Sequence, residues 1–211
     1  MALTLLAFDT PNARKISVAL EEMGLPYKVQ VVDITKNEQF APDFLKISPN
    51  NKIPALIDTD GPDGQTQTVF ESGAILIYLA EKTGQFLPAK GAGRVAALEW
   101  LMFQMGGFGP APGQVHHYAA LTDEPDQRYG LKRFMAETLR LYGVMDGRLA
   151  GNAFFAGDAL TIADFAILGW VWRHPRHRVD LQQFPHVLRW YTAMMARPAV
   201  QKGFAVPLRR E

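Results

Sequence analysis

The fold of this chain is decided by two stretches, PNNKIPAL at residues 49–56 and FESGAILIYL at residues 70–79. In the first stretch a short loop delivers a proline into a strand. Pro54 has no backbone N–H and blocks ordinary strand continuation, and Ile53 beside it can offer its backbone groups to an extended peptide. This stretch therefore offers backbone groups with which a small peptide-like ligand can pair.

The second stretch adds groups that can bind two opposite charges. A strand ends at Glu71 and Ser72, and an apolar helix follows. Ser72 is a favourable N-cap residue, so its side chain and the next amides form an anion site at the start of the helix. Glu71 can pair with an ammonium group. A ligand that carries both an α-carboxylate and an α-amine fits this corner, whereas either stretch alone indicates only a turn or a capped helix.

The composition is that of an ordinary globular protein. The 211 residues suffice for one large domain or two small ones, with 48% hydrophobic and 20% charged residues. A net charge of +1 indicates no nucleic-acid partner. The apolar start of the chain has no basic segment and is interrupted at Asp9, and no apolar run is long enough to span a membrane. We expect a cytoplasmic protein without a membrane partner.

The chain contains no cysteine. A disulfide bond, a thiolate metal site and a cysteine nucleophile are therefore excluded. The adjacent His116 and His117 would point about 100° apart on a helix, which does not favour a shared metal ion. We expect no metal site.

Periodicity and turn residues predict two domains. The first, residues 1–84, has the order βαβαββα, with strands at 3–8, 27–32, 54–58 and 66–70, and helices from Thr10 to Gly24, at 37–47 (irregular, broken by Pro42) and at 72–82. Residues 85–93 are a linker. The second, residues 94–211, is all helical, with helices at 94–105, 125–149, 161–173 and 184–196 and a short one after Pro198. Glycines at 106, 107 and 109 predict a kink or break, after which the helix resumes to about residue 118.

A capping box is predicted at the start of one helix of the second domain. Thr161 and Asp164 have the required spacing, with aspartate in place of glutamate. Leu160 and Phe165 can form a hydrophobic staple around the same turn. We interpret the motif as structural, and Asp164 as a catalytic acid is the weaker interpretation because a local role accounts for it.

The first strand-to-helix junction, Thr10-Pro11-Asn12, is a candidate for thiol chemistry. The start of a helix offers free N–H groups and the positive end of the helix dipole, so a thiol held there loses its proton more easily. The Thr10 hydroxyl can donate a hydrogen bond to the thiolate, and Asn12 can add a donor. In the alternative interpretation Thr10 only caps the helix and Pro11 only begins it. The two interpretations are compatible.

Together these features resemble the glutathione transferase superfamily. In that family the bond that matches Ile53–Pro54 is cis, and the Glu-Ser pair opens the third helix of a thioredoxin-like domain that holds the γ-glutamyl group of glutathione. Four further segments are similar to the nu class of bacterial transferases: TPN at 10–12, WLMFQMGG at 100–107, GQVHH at 113–117 and TIAD at 161–164. The resemblance covers nearly the whole chain. It implies an α/β thioredoxin-like domain followed by an all-α helical bundle domain, in a homodimer.

The resemblance also assigns the site residues. The thiol-activating positions match Thr10 and Asn12. The ligand-binding positions match Gln39, Ile53, Glu71, Ser72 and Arg133, and Gln104 matches a residue that reaches the ligand of the neighbouring subunit. Lys52 is a further candidate, for the glycyl carboxylate. Ala13 and Arg14 depart from the Gly-aromatic or Gly-His pair expected after the asparagine, which leaves the shape of the pocket mouth open.

The activity that the resemblance implies is glutathione-dependent disulfide reduction. Because the chain has no cysteine, the exchange must run between bound glutathione thiolates and the substrate, so the site should hold two reduced glutathiones or one oxidised glutathione. Two alternatives remain. One is a transferase that conjugates glutathione to an organic electrophile, and the other is a weakly active glutathione-binding regulatory protein on the same fold.

Overall fold

The computed structural model describes residues 2–121, 127–206 and 208. It divides the chain into two compact units, one made of the residues up to 89 and those from 196 onward, the other of residues 90–195. In chain order the first unit begins with β1 (Leu3–Ala7), α1 (Pro11–Glu22), β2 (Tyr27–Val31), α2 (Pro42–Ile47), β3 (Ala55–Asp58), β4 (Gln67–Phe70) and α3 (Ser72–Thr83). The predicted order βαβαββα and the thioredoxin-like fold are confirmed.

The four strands form one mixed sheet in the order β2-β1-β3-β4. β1 runs parallel to β2, and β3 runs antiparallel to both β1 and β4. Ala55 at the start of β3 pairs with Leu6 near the end of β1 and with Phe70 at the end of β4. The loops that follow β1 and β4, and the loop that precedes β3, therefore meet at the same end of the sheet.

The core of this unit explains why β1 has an uninterrupted apolar sequence. Leu3, Leu5 and Leu6 are all buried, since helices cover both faces of the central strands. The apolar stripes of the two longer helices, α1 and α3, are also buried and consist of Ile16, Ala19 and Leu20, and of Ile75, Leu76 and Leu79. This packing fixes where α1 and α3 begin, and both begin at the loop end of the sheet just described.

The segment between β2 and β3 differs from its prediction. Pro42 begins α2 instead of breaking a helix, because the first helical position needs no N–H donor. Two short 3-10 turns precede it, Ile34–Lys36 and Glu38–Phe40, separated by Asn37 at φ 63°. This left-handed residue prevents the two turns from joining into one helix.

The second unit is helical in the residues that the structure describes between 90 and 195. Its helices are α4 (Ala92–Phe103), α5 (Pro110–Ala120), α6 (Gln127–Leu149), α7 (Ile162–Val171) and α8 (Pro185–Met195). The interruption predicted after α4 is a π-helical turn, Gln104–Phe108. The start predicted for α6, at residue 125, lies outside the described residues. Within the described part of the chain, no helix has both the length and the apolar character needed to cross a bilayer.

The last helix, α9 (Pro198–Ala205), packs on α1 and so belongs to the first unit. From sequence alone this helix is predicted to belong to the C-terminal domain, because local pattern does not show which domain a terminal helix contacts. The Gly203 carbonyl accepts hydrogen bonds from Ser17 Oγ at 2.9 Å and Arg14 Nη1 at 3.2 Å. A Cβ at Gly203 would lie 2.6 Å from Val18 Cα, so only glycine permits this approach.

Candidate functional site

The candidate residues of the first unit collect at one end of the sheet. Thr10 and Asn12 follow β1, Ile53 precedes β3, and Glu71 and Ser72 follow β4. The register that pairs Leu6, Ala55 and Phe70 places these three chain segments side by side. The strand pairing therefore brings together residues as far apart in the sequence as Thr10 and Ser72, which are separated by 62 positions.

Thr10 occupies the position predicted for it, the N-cap of α1. Its backbone is extended, at φ −132° and ψ 158°, and its Oγ1 accepts a hydrogen bond from Ala13 N at 3.4 Å. Because Oγ1 is the acceptor in this bond, the hydroxyl hydrogen can be donated elsewhere. Thr10 and Asn12 are both half-buried. The junction thus presents a hydroxyl donor and an amide side chain at the positive end of a twelve-residue helix.

The prediction that Ser72 is the N-cap of α3 is wrong by one position. Glu71 occupies the cap, makes no side-chain cap hydrogen bond, and Ser72 is the first helical residue. Glu71 has φ 69° and ψ 117°, a strained backbone for a residue with a Cβ, and its side chain is exposed. This turn directs the Glu71 carboxylate outward and buries Ser72, which is 3% exposed.

The Ser72 hydroxyl has a partner that the sequence analysis missed. Lys15 Nζ lies 3.1 Å from Ser72 Oγ, and Lys15 is only 1% exposed. Burial lowers the pKa of the Lys15 ammonium to about 7, although the negative charge of Glu71 acts in the opposite direction. A signal was present in the sequence, since Lys15 stands three and four residues before the apolar Val18 and Ala19 and so falls on the buried stripe of α1.

The loop before β3 has the geometry expected for it. The Ile53–Pro54 peptide bond is cis, as predicted. The Lys52 carbonyl accepts a hydrogen bond from Ser48 Oγ at 2.8 Å, which holds the loop, while the Lys52 side chain is exposed. Ile53 is half-buried and packs against the small apolar cluster beside it, so its backbone is fixed at the sheet end.

Gln39 lies in the 3-10 turn Glu38–Phe40, which follows β2. Its side-chain oxygen Oε1 is buried and has no hydrogen-bond partner among the residues that the structure describes. A buried carbonyl oxygen without a donor is unfavourable, and a ligand N–H can satisfy it.

The two remaining candidates belong to the second unit. Gln104 is fully buried in the π-helical turn, and Arg133 is exposed on α6. Their roles in ligand binding stay predictions from the resemblance.

One cavity of the first unit lies away from these residues. It has a volume of about 360 Å³ and is lined by Gly61, Pro62, Tyr78, Glu81 and Lys82. Beside it the buried carboxylate of Asp58 accepts hydrogen bonds from Tyr78 Oη at 2.7 Å and pairs with Lys82 Nζ at 2.9 Å. Asp58 pairs with Leu3, which marks the opposite end of the sheet from Thr10 and Ser72. The closed network around Asp58 stabilises the hairpin between β3 and β4.

The capping box of the second unit is confirmed. Asp164 is fully buried, and its Oδ2 accepts from Thr161 N at 2.9 Å and Thr161 Oγ1 at 3.1 Å. Its Oδ1 accepts from Trp190 Nε1 at 3.0 Å and Phe155 N at 3.2 Å. Burial raises the pKa of Asp164 to about 6, against the pull of these four donors. The carboxylate joins α7, α8 and the preceding loop, which supports the structural interpretation.

Comparison with known proteins then identifies the family. The family models described as the glutathione S-transferase N-terminal domain and C-terminal domain match residues 10–82 and 111–198. The chain belongs to the glutathione S-transferase family. Disulfide-bond oxidoreductase YfcG of Escherichia coli is 47% identical to this chain, and the match covers 90% of this chain and 88% of YfcG.

Two solved glutathione transferases have the same fold as this chain. The enzyme from Burkholderia graminis, with two glutathione molecules bound per subunit, has a TM-score of 0.92 and 44% identity over 99% of this chain and 89% of its own. The enzyme from Pseudomonas putida, with one glutathione disulfide bound per subunit, has a TM-score of 0.91 and 43% identity over 97% of this chain and 91% of its own.

Proposed function

We propose that this glutathione S-transferase is a nu-class enzyme that reduces disulfide bonds with glutathione. The observation that carries the proposal is the absence of cysteine from a chain that is 47% identical to a disulfide-bond oxidoreductase. Disulfide exchange requires an attacking thiolate, and glutathione supplies it here. Similar structures that hold two glutathiones or one glutathione disulfide per subunit support a site with room for two sulfurs.

The ligand is held by its charges and its backbone. The γ-glutamyl carboxylate binds at Ser72 and the first amides of α3, and the ammonium group pairs with Glu71. The backbone of Ile53 pairs with the cysteinyl residue of glutathione. We propose that Gln39 and Lys52 bind the remaining polar groups of the ligand. The unsatisfied Gln39 Oε1 supports the first assignment, and the Lys52 ammonium is assigned to the glycyl carboxylate.

The thiol lies at the start of α1. The Thr10 hydroxyl donates a hydrogen bond to the glutathione sulfur, and Asn12 adds a second donor. Both donors and the helix dipole favour the thiolate over the thiol, which lowers the thiol pKa. The protein therefore provides the electrostatic environment, and glutathione provides the attacking sulfur.

The reaction balances with two glutathiones per disulfide. The first thiolate attacks one sulfur of the substrate disulfide, which forms a mixed disulfide and releases one substrate thiolate. The second glutathione thiolate attacks the glutathione sulfur of the mixed disulfide and releases the other substrate thiolate. One glutathione disulfide is formed, two electrons pass to the substrate, and the two thiol protons of glutathione end on the two product thiols.

The test compares two activities of the purified protein. Reduction of a small dialkyl disulfide is followed through the formation of glutathione disulfide, and conjugation is followed with an aryl halide. We expect disulfide reduction to exceed conjugation by at least about tenfold in kcat/KM. Dominant conjugation would favour the transferase alternative, and glutathione binding without either turnover would favour the regulatory alternative.

Oxidised glutathione is expected to bind with an affinity equal to or higher than that of reduced glutathione. The second half of glutathione disulfide occupies the place of the second glutathione. Its two sulfurs therefore lie where the two glutathione sulfurs meet in the second exchange step. Calorimetric titration with both forms gives the affinity and the stoichiometry, and crystals soaked with the oxidised form show the pose. A single ordered glutathionyl unit, with apolar side chains where the second should lie, would contradict the proposal.

We propose that the protein acts in the cytoplasm and that it is a homodimer. Glutathione is kept largely reduced there, so the reductant is continuously available. The dimer is proposed from the resemblance to the family and can be measured by light scattering of the purified protein.

A further inference from the structure

Lys15 is the charged residue that the proposed chemistry leaves unexplained. It lies on α1, is 1% exposed, and is among the largest fully buried side chains of the protein. Removing an ammonium from water is costly, and an apolar residue of the same length would pack at this position without that cost. The side chain nevertheless reaches across to α3, where Nζ meets Ser72 Oγ at 3.1 Å. The contact joins two residues fifty-seven positions apart at the proposed carboxylate site.

We propose that Lys15 is a positioning residue for the ligand carboxylate, acting through Ser72 and supplying the buried positive charge behind it. The inference rests on the proposed function, since the carboxylate in question is that of the γ-glutamyl group. It adds a cation to a site that otherwise consists of a hydroxyl group and the amides of a helix start.

The direction of the hydrogen bond explains how Lys15 acts. An ammonium group has donors and no acceptor, so Ser72 Oγ must accept from Lys15 Nζ when the lysine is charged. The Ser72 hydroxyl hydrogen is then directed away from Lys15. A neutral amine has a lone pair and can accept that hydrogen instead. The charged state of Lys15 therefore sets Ser72 as a donor, which is what binding a carboxylate requires.

The charges around Lys15 support a link between its protonation and ligand binding. On α3 the nearby charge is Glu71, which favours the ammonium form. On α1 the neighbouring Arg14 pairs with Asp9 at 2.9 Å, and towards α9 Glu21 pairs with Lys202 at 2.7 Å. All five histidines of the chain lie between residues 116 and 186, outside these elements.

The sign of the pH dependence follows from these charges. Burial lowers the pKa of Lys15 to about 7. A ligand carboxylate on Ser72 adds negative charge next to the amine, which raises that pKa. A group whose pKa rises on binding takes up a proton, so the affinity is highest below pH 7 and falls as the pH rises above 7.

The experiment uses S-methylglutathione, whose blocked thiol removes thiol ionisation from the measurement. Calorimetric titrations between pH 6 and 8 in two buffers of different ionisation enthalpy give the affinity and the protons taken up. For the wild type we expect uptake of a fraction of a proton and weaker binding at pH 8 than at pH 6. Lys15→Met, which keeps the length of the side chain, should bind about tenfold more weakly at pH 6 and take up no proton.

Two controls separate recognition from structure. The affinity of 4-aminobutanoyl-S-methylcysteinylglycine, which lacks the γ-glutamyl carboxylate, should be the same for wild type and Lys15→Met. In a double-mutant cycle with Ser72→Ala, the two losses should be strongly non-additive, because Lys15 acts through Ser72. Thermal unfolding of Lys15→Met should match or exceed that of the wild type, since a buried ammonium has been removed.

The outcomes distinguish this inference from the function on which it rests. Wild-type affinity and pH profile in a folded Lys15→Met would overturn the role of Lys15 alone. An equal loss for the ligand without the carboxylate would also overturn it, because the lysine would then serve only to hold α1 and α3. Failure of the wild type to bind S-methylglutathione at any pH would overturn the proposed function and this inference together.

Discussion

Replacing Thr10 by alanine is expected to slow disulfide reduction by about ten- to a hundredfold while glutathione still binds with nearly unchanged affinity. The Thr10 hydroxyl lies at the start of α1. In the proposed site it stabilises the thiolate, whereas Glu71 and Ser72 bind the charged end of the ligand. A hydrogen bond to a charged group contributes about 1.5–3 kcal/mol, which corresponds to that range of rates. Steady-state rates with a dialkyl disulfide and calorimetric affinities measure the two quantities separately.

The structure shows that Thr10 also has a local role, so the experiment needs a matched variant. Thr10 Oγ1 accepts from Ala13 N at 3.4 Å, and loss of a cap of this kind costs about 1 kcal/mol of stability. Thr10→Ser keeps the hydroxyl for both the cap and the thiolate, and it should retain most of the activity. The thiol pKa of bound glutathione, followed by the ultraviolet absorbance of the thiolate, should rise in Thr10→Ala and stay low in Thr10→Ser.

Full activity of a folded Thr10→Ala would remove this hydroxyl from the mechanism. The thiolate would then depend on Asn12 and the helix dipole, and the same titration on Asn12→Ala would show it. A loss of activity that merely follows a loss of glutathione affinity would instead assign Thr10 to binding.

The parts of the fold and site that the sequence predicts are those with local signals. The apolar run of β1, the Thr10-Pro11 start of α1 and the capping box at Thr161 each involve residues within a few positions of one another. Pro54 and the Glu71-Ser72 pair mark two turns, and the register of the sheet brings those turns together. Capping, turn formation and strand alternation depend on neighbours along the chain, so one sequence is enough to recognise them.

Most of the features that the sequence did not reveal depend on distant contacts. The buried Lys15 donates a hydrogen bond to Ser72, which is fifty-seven residues away. α9 joins the first unit because Gly203 fits against Val18 of α1. Ser72 was assigned to the cap from residue preference, but the strained turn at Glu71 shifts the helix start by one residue. For Lys15 and α9 the deciding partner is remote in sequence, and preference scales describe only neighbours. For Ser72 the deciding feature is the left-handed backbone of the adjacent Glu71, which residue preference does not predict.

Replacing Asp164 by alanine is expected to lower the free energy of unfolding by about 3–5 kcal/mol, the largest stability effect that we predict. The fully buried carboxylate accepts four hydrogen bonds, two from Thr161 and one each from Phe155 and Trp190. Alanine accepts none of them, and each buried donor left without a partner costs about 1–3 kcal/mol, less where water enters the space. Chemical denaturation at neutral pH, followed by far-ultraviolet circular dichroism, measures the change.

Asp164→Asn and Asp180→Ala test whether the loss arises from the carboxylate itself. Asparagine keeps the volume of Asp164, but its NH₂ group faces two donors, so this variant should lose nearly as much stability as alanine. Asp180 also accepts a backbone hydrogen bond, from Gln182 N at 2.9 Å, but its side chain is exposed. In Asp180→Ala water can accept this hydrogen bond in place of the carboxylate, so we expect a loss of stability below about 1 kcal/mol. Equal losses of stability in Asp164→Ala and Asp180→Ala would show that the loss of a capping hydrogen bond accounts for the effect, without a contribution from burial of the carboxylate. If Asp164→Ala were instead as stable as the wild type but inactive, the carboxylate would have a chemical role and the structural interpretation would be wrong.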